Sequence, residues 1–200
     1  MNRCLICFGN VEQTLNDNKV CNTCISKFKQ INRKIYYKGI EIYILYEYND
    51  FFRELLYRFK GCYDNELKKA FLNNNLLYLK TKYRKRKVIC APSYYKDDKM
   101  RGFNHVREIA SVLGLKIINC LEKNKQYKQS DQKMCNRKDI QKVIKIDKTK
   151  IKCNDRLLIV DDVTTSLSTI KAIIRLLPTK SDIKVLVLAS NCRFMENEKN

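Results

Sequence analysis

One histidine in 200 residues removes several chemistries at once. With His105 alone, neither a Ser-His hydrolytic pair on more than one site nor a zinc centre built on imidazoles can be assembled. Long apolar runs are missing too. No stretch approaches the roughly 18 to 20 residues of a membrane span, so no membrane insertion is expected. The first ten residues, MNRCLICFGN, lack the apolar core of a secretory signal, which makes the cytoplasm the expected location. There is no internal repeat, and no low-complexity segment beyond a Lys/Asn bias. Acidic residues are scarce: 21 Asp and Glu stand against 41 Lys and Arg, a formal charge of +20.

That excess has two readings. Clustered cations bind polyanions by displacing counterions from phosphates. Equally, lysine serves as the default solvated residue of a chain rich in Lys, Asn and Ile. The densest run, KTKYRKRK at 80–87, interleaves Tyr83 among its cations, although a solvated helix end is the commoner meaning of such a run. At 44% hydrophobic residues, the chain can bury a core suited to one α/β domain with a small appendage.

The appendage is marked by cysteine. Four of ten lie near the start as Cys4-x2-Cys7 and Cys21-x2-Cys24, thirteen residues apart. Two such knuckles suit a tetrahedral, structural Zn²⁺ held by four thiolates; a redox dithiol is the other reading. Gly9 suits the sharp turn after Cys7. The remaining six cysteines are scattered and read as small buried hydrophobes.

A polar, basic boundary follows at 25–38. Beyond it, 39–48 reads as a strand. Residues 50–60 read as a helix with Phe51, Phe52, Leu55, Leu56 and Phe59 on one face and Asp50 as N-cap. A second helix is expected over 64–80. Strands are expected at 87–93, 115–121, 156–160 and 183–190, with helices at 104–114 and 168–177. The polar segment 123–139 reads as a long loop. Strands alternating with helices imply a mainly parallel sheet covered on both faces, with ligands at the carboxyl ends of its strands.

One such end carries chemistry. In LLIVDDVTTSLST (157–169), Asp161 and Asp162 close an apolar run, and five of the next seven residues bear hydroxyls. Carboxylates accept hydrogen bonds from a vicinal diol such as ribose. The turn into the following helix offers N–H groups and a positive dipole end to a phosphate, with Thr165, Ser166, Ser168 and Thr169 as further donors. The alternative is an N-cap cluster after an ordinary strand with both aspartates solvated. His105 can touch a phosphate, but a polar residue in a helix's first turn is the favoured reading.

The same segment resembles the phosphoribosyl diphosphate (PRPP) motif of type I phosphoribosyltransferases. MRGFNHVREIASVLGL (100–115) resembles the Arg-Gly-Phe-Asn helix start of the ComF competence family, and 48–67 resembles that family's helix ending, kept here as Lys60-Gly61. The resemblance implies a type I phosphoribosyltransferase-like parallel sheet with helices on both faces over 35–200, behind a zinc ribbon or knuckle over 1–34. It implies that Asp161 and Asp162 hold ribose hydroxyls and that Thr165, Ser166, Ser168 and Thr169 surround a 5′-phosphate. Arg101 and Asn104 would stand at the mouth, and Gln129 and Arg137 would lie in a loop able to fold over a ligand. It also implies structural Zn²⁺ on Cys4, Cys7, Cys21 and Cys24, and Mg²⁺ accompanying PRPP. The implied role is in DNA uptake or processing, with single-stranded DNA and a helicase or translocase as partners. The alternative is an active transferase moving ribose 5-phosphate from PRPP to a nitrogen acceptor.

This chain departs from the pattern. Leu167 takes a glycine position, Ser166 replaces a threonine, and Gln132, Asn136 and Ile140 stand where the family loop has Leu, Glu and Asn. A leucine forced to positive φ costs about 1 kcal/mol or more. These departures favour binding of a sugar phosphate or nucleotide over turnover, and no catalytic residue is assigned.

Overall fold

In the computed structural model, residues 3–11, 19–61, 64–93, 95–123 and 144–191 are described. The strands are β1 Gln30–Tyr37, β2 Ile40–Glu47, β3 Lys87–Cys90, β4 Leu121–Lys123, β5 Ile144–Ile146, β6 Arg156–Thr164 and β7 Asp182–Ser190. The helices are α1 Asn22–Ser26, α2 Asp50–Gly61, α3 Leu76–Lys82, α4 Tyr95–Arg101, α5 His105–Ser111 and α6 Ser168–Leu176. Five strands form one sheet in the order β1-β2-β7-β6-β3, and β4 pairs with β5 separately. Only β1 runs antiparallel within the five; the other neighbours are parallel.

Period-two alternation explains the layering. Along β6, Leu158 and Val160 enter one apolar cluster while Leu157 and Ile159 enter another. The first face is covered by α2 and α5 through Phe52, Phe59, Val106 and Ile109. The second is covered by α6 through Ile170 and Ile173, and by Ile144 of β5. A central parallel sheet needs both covers. The chain is thus an α/β protein with a mostly parallel central sheet.

The cysteine-bearing segment joins the first layer. Cys4, Ile6, Val20, Cys24 and Phe28 are buried in the same cluster as α2. Phe28 meets Tyr46 and Phe51 at 5.1 Å between ring centroids, and Arg58 of α2 donates to the Ile6 carbonyl at 2.8 Å. β1 runs continuously across residues 34 and 35.

Several local expectations change. The stretch 25–38, read as a polar boundary, contains β1, whose Ile35 is buried opposite Ile42. Asn49, not Asp50, caps α2: its Oδ1 accepts the Phe52 N–H at 2.8 Å. The helix expected over 64–80 breaks into 3-10 turns at Asn65–Lys69 and Asn73–Asn75 before α3. Asn73, Asn74 and Asn75, residues of low helix propensity, form the second turn, and the Asn75 side chain donates to the Tyr46 hydroxyl at 3.0 Å. The strand expected at 115–121 reduces to a parallel bridge between Ile117 and Val88, and Leu121 opens β4. Helix α4 had no sequence signal. Of the scattered cysteines, Cys120 is buried as expected, Cys90 is half-buried and Cys153 is exposed; Cys62, Cys135 and Cys192 lie outside the described residues.

Candidate functional site

The cleft arises because two neighbouring strands end at different levels. β3 stops at Cys90, level with Val160, while β6 continues to Thr164 with β7 still paired on its other side. Past Val160 no strand among the described residues pairs with that edge of β6. A cleft of about 530 Å³ forms there, lined by Lys60, Pro92, Ser93, Asp97, Arg101, His105, Lys123, Asp161, Asp162 and Thr169, among others.

The two aspartates point to opposite faces of β6, so their surroundings differ. Asp162 lies on the side of Leu158 and Val160, toward α2 and α5. Its Oδ2 accepts a charged hydrogen bond from Lys60 and stands 3.3 Å from His105 Nε2. Burial pushes this carboxyl up, but the Lys60 ammonium and the His105 hydrogen bond outweigh it and hold it well below the usual carboxylate range. Asp161 has no ion pair among the described residues. Its Oδ1 accepts the Asp162 N–H at 3.0 Å. Burial, and then the neighbouring Asp162 charge, push its carboxyl well up. The strand end thus presents two buried carboxyls whose surroundings push them in opposite directions, Asp162 toward its ionised form and Asp161 toward its protonated form.

The wall opposite is tied together by side chains. Ser93, beyond β3, donates to Asp98 of α4 at 2.5 to 2.6 Å. Asn104 Nδ2 donates to Ser93 Oγ at 2.7 Å and Asp98 Oδ2 at 2.8 Å, while its Oδ1 caps α5 by accepting the Arg107 N–H at 2.8 Å. Arg101 turns inward, with its Nη1 2.6 Å from His105 Nδ1 and its Nη2 3.6 Å from Asp98. Of the two residues expected at the mouth, Arg101 lines the cleft and Asn104 works as cap and tie.

The loop between β6 and α6 adopts a left-handed turn at Leu167, with φ 55° and ψ 13°. Its N–H donates to Thr164 Oγ1 at 3.0 Å, and its carbonyl accepts the Lys171 N–H at 2.7 Å. The side chain is buried in the cluster beneath α6. The departure from glycine therefore preserves positive φ and stows the leucine in the core. Thr169 lines the cleft; Thr165 and Ser166 are exposed, and Ser166 Oγ lies 3.1 Å from Ser168 Oγ, outside the lining. Gln129, Gln132, Asn136, Arg137 and Ile140 lie outside the described residues.

Two site residues escape sequence reasoning. Lys60 carries only the loose resemblance of Lys60-Gly61, and it meets Asp162 from 102 residues away. His105 does occupy a first helical turn, but it is buried and bonded into the cleft rather than solvated there. No local pattern announces either contact.

At the other end of the chain, the ligating atoms of Cys4, Cys7, Cys21 and Cys24 lie within 4.8 Å of one another. Tetrahedral Zn–S bonds of about 2.3 Å place sulfurs about 3.8 Å apart, and Cys7 Sγ is 3.6 Å from Cys21 Sγ. The Ile6 and Cys21 N–H groups each donate to Cys4 Sγ at 3.4 Å. Against the effect of burial, backbone N–H groups bring the Cys4 thiol down to about 6, whereas burial raises Cys24. Four converging sulfurs, one favoured as thiolate, fit a structural metal such as zinc.

Three of the six cations in the basic run 80–87 are used by the fold. Lys82 pairs with Glu41 at 3.0 Å, Arg86 with Asp182 at 2.7 Å and Lys87 with Asp155 at 2.6 Å. Tyr83 is buried and offers no stacking face. Among the described residues, no helix is long and apolar enough to cross a membrane.

No protein-family model matches the chain, and no curated protein matches it. Solved structures do. Adenine phosphoribosyltransferase from Saccharomyces cerevisiae, complexed with an imino-altritol bisphosphate and adenine, is 14% identical over 89% of this chain and 92% of its own, with a TM-score of 0.44. The Giardia lamblia enzyme complexed with 9-deazaadenine is 17% identical over 84% and 96%, also at 0.44. A hypoxanthine phosphoribosyltransferase from Staphylococcus aureus is 15% identical over 64% and 66%, at 0.38.

Proposed function

We propose that this chain is a ribose-phosphate-binding α/β protein whose site is the cleft at the end of β6. Its best particular reading is a ComF-like protein that binds PRPP or a related sugar phosphate or nucleotide. One observation carries the proposal: two adjacent carboxyls, both buried and one of them paired with Lys60, line a cleft where a central strand ends and feeds a helix. A solvated N-cap cluster has neither the burial nor the cleft. Asp162 accepts from a ribose hydroxyl, while Asp161 can both accept and donate. The start of α6 and Thr169 face a terminal phosphate. Arg101, Lys60 and Lys123 supply positive charge along the wall. Asp97, which also lines the cleft, offers a hard oxygen donor that suits Mg²⁺, which would enter with a diphosphate and neutralise its charge.

Titration with PRPP and Mg²⁺ by calorimetry, beside the Asp161→Asn/Asp162→Asn double variant, tests this. Binding that the double variant loses supports it; a folded wild type that binds neither PRPP nor ribose 5-phosphate overturns it. A second reading, transfer of ribose 5-phosphate to a nitrogen acceptor, is favoured by Leu167, whose left-handed turn keeps the loop as a glycine would. Product formation across a set of nucleobases and amines decides it.

The ComF resemblance extends the proposal to DNA uptake or processing. The net charge of +20 and the cysteine cluster support that extension, although half of the cations in the densest basic run are paired within the fold. Binding to single-stranded DNA that weakens steeply with salt, or a helicase partner, supports it. Absence of both removes the DNA role and leaves the ribose-phosphate site standing.

A further inference from the structure

We propose that His105 is a positioning residue that fixes the Asp162 carboxylate for the sugar and couples it to Arg101 at the cleft mouth. The proposal rests on the ribose-phosphate reading of the cleft. Its geometry is independent of that reading. A guanidinium can only donate, so the 2.6 Å contact from Arg101 Nη1 makes His105 Nδ1 an acceptor. The ring proton of the neutral imidazole then sits on Nε2, 3.3 Å from Asp162 Oδ2. Both contacts require one and the same tautomer. Burial favours this neutral ring, and the flanking Lys60 and Arg101 charges reinforce burial against the pull of Asp162.

Lys60 bonds the same Oδ2 from α2. Two donors on one oxygen stop the carboxylate from rotating. Three elements thereby converge on Asp162: α2 through Lys60, α5 through His105, and α4 through Arg101 at one remove. An anion drawing Arg101 toward the mouth alters the bond at Nδ1, and hence the donor at Nε2. Sugar at one end of the cleft and phosphate at the other are in this way linked through a single ring.

Because the chain holds one histidine, ¹⁵N-histidine labelling gives one imidazole to read. The unliganded protein should show the Nε2–H tautomer, and Arg101→Ala should perturb the Nδ1 resonance. His105→Phe fills the space without hydrogen bonds and should weaken PRPP–Mg²⁺ binding about ten-fold, the order of one or two lost buried hydrogen bonds. His105→Gln, which can accept from Arg101 and donate to Asp162, should restore binding to within about three-fold. The His105→Phe and Arg101→Ala losses should be non-additive. An Nδ1–H tautomer, wild-type affinity in His105→Phe, or strict additivity overturns the inference while wild-type binding upholds the site. A wild type that binds nothing, with the Nε2–H tautomer in place, overturns the ribose-phosphate reading and the sugar-positioning role with it.

Discussion

Replacing Asp161 by asparagine should stabilise the unliganded protein at neutral pH, and the same change one residue later should destabilise it. Both residues are 8% exposed. Asp161 has no ion pair among the described residues, and asparagine keeps an oxygen for the Asp162 N–H while removing the charge. Unrepaid burial of a polar group costs about 1–3 kcal/mol. A carboxyl pushed up in this way avoids part of that by taking up a proton, so the gain should lie near 1–2 kcal/mol. At about 2–4 °C per kcal/mol for a chain of this size, the melting point rises by about 2–8 °C. Asp162→Asn instead strips the anion from Lys60 and His105. Breaking one side of a buried pair costs about 3–5 kcal/mol, reduced to about 1–3 kcal/mol because water reaches the Lys60 ammonium.

The pH dependence separates this from simple repacking. A carboxyl raised in the folded state above its ordinary value of 3.8 binds more protons folded than unfolded in between. Stability from Asp161 is therefore present below about pH 4 and is lost as pH rises through the folded value. The asparagine variant has no such loss, so its advantage should grow from pH 4.5 to 7.5. Thermal melts by circular dichroism at three pH values measure it. An Asp161→Asn protein that melts below wild type throughout, or gains equally at every pH, refutes the reasoning.

Leu167→Gly should lower the melting point: relief of the left-handed strain is worth about 1 kcal/mol, while loss of a buried leucine costs about 2–5 kcal/mol. Calorimetry should find its ribose-phosphate affinity nearly unchanged, since the leucine lies in the core; a large loss would mean the side chain shapes the loop. Lys60→Met should reduce stability at pH 7, with the deficit shrinking in acid. Asp162 is depressed in the fold, so its contribution is present above about pH 4 and is lost as pH falls through the folded value; a deficit that persists at low pH argues against this. Purified protein should carry about one zinc by elemental analysis. Its removal by a chelator, or Cys4→Ser, should lower the melting point, because Cys4 and Cys24 share a core with Ile6, Val20 and Phe28. Metal-free protein with an unchanged Cys4→Ser melt refutes the metal site.

What the sequence discloses here follows the range of the interactions involved. β6, α6 and β7 are legible because the evidence for them is local: an unbroken apolar run, a one-sided helical stripe, another apolar run. The adjacent aspartates and the hydroxyl residues after them are legible for the same reason. β1 is not, since its polar residues hide one buried isoleucine that makes sense only beside β2. Nor is the break of the expected second helix, where asparagine propensity decides against apolar spacing.

The site divides along the same line. Alternation along a strand already implies that Asp161 and Asp162 face different environments, but not what those environments contain. One face brings Lys60 from α2 and His105 from α5, across 102 and 57 residues of chain respectively. The other brings apolar packing and a helix turn. The carboxyls of two identical side chains in one dipeptide are thereby pushed in opposite directions. The difference belongs to neither residue nor motif; it arises when the sheet places one carboxyl against a cation and leaves the other without one. A motif match can identify the pair, but the direction in which each carboxyl is pushed is set by tertiary structure, and that difference is what the Asp161→Asn and Asp162→Asn melts read directly.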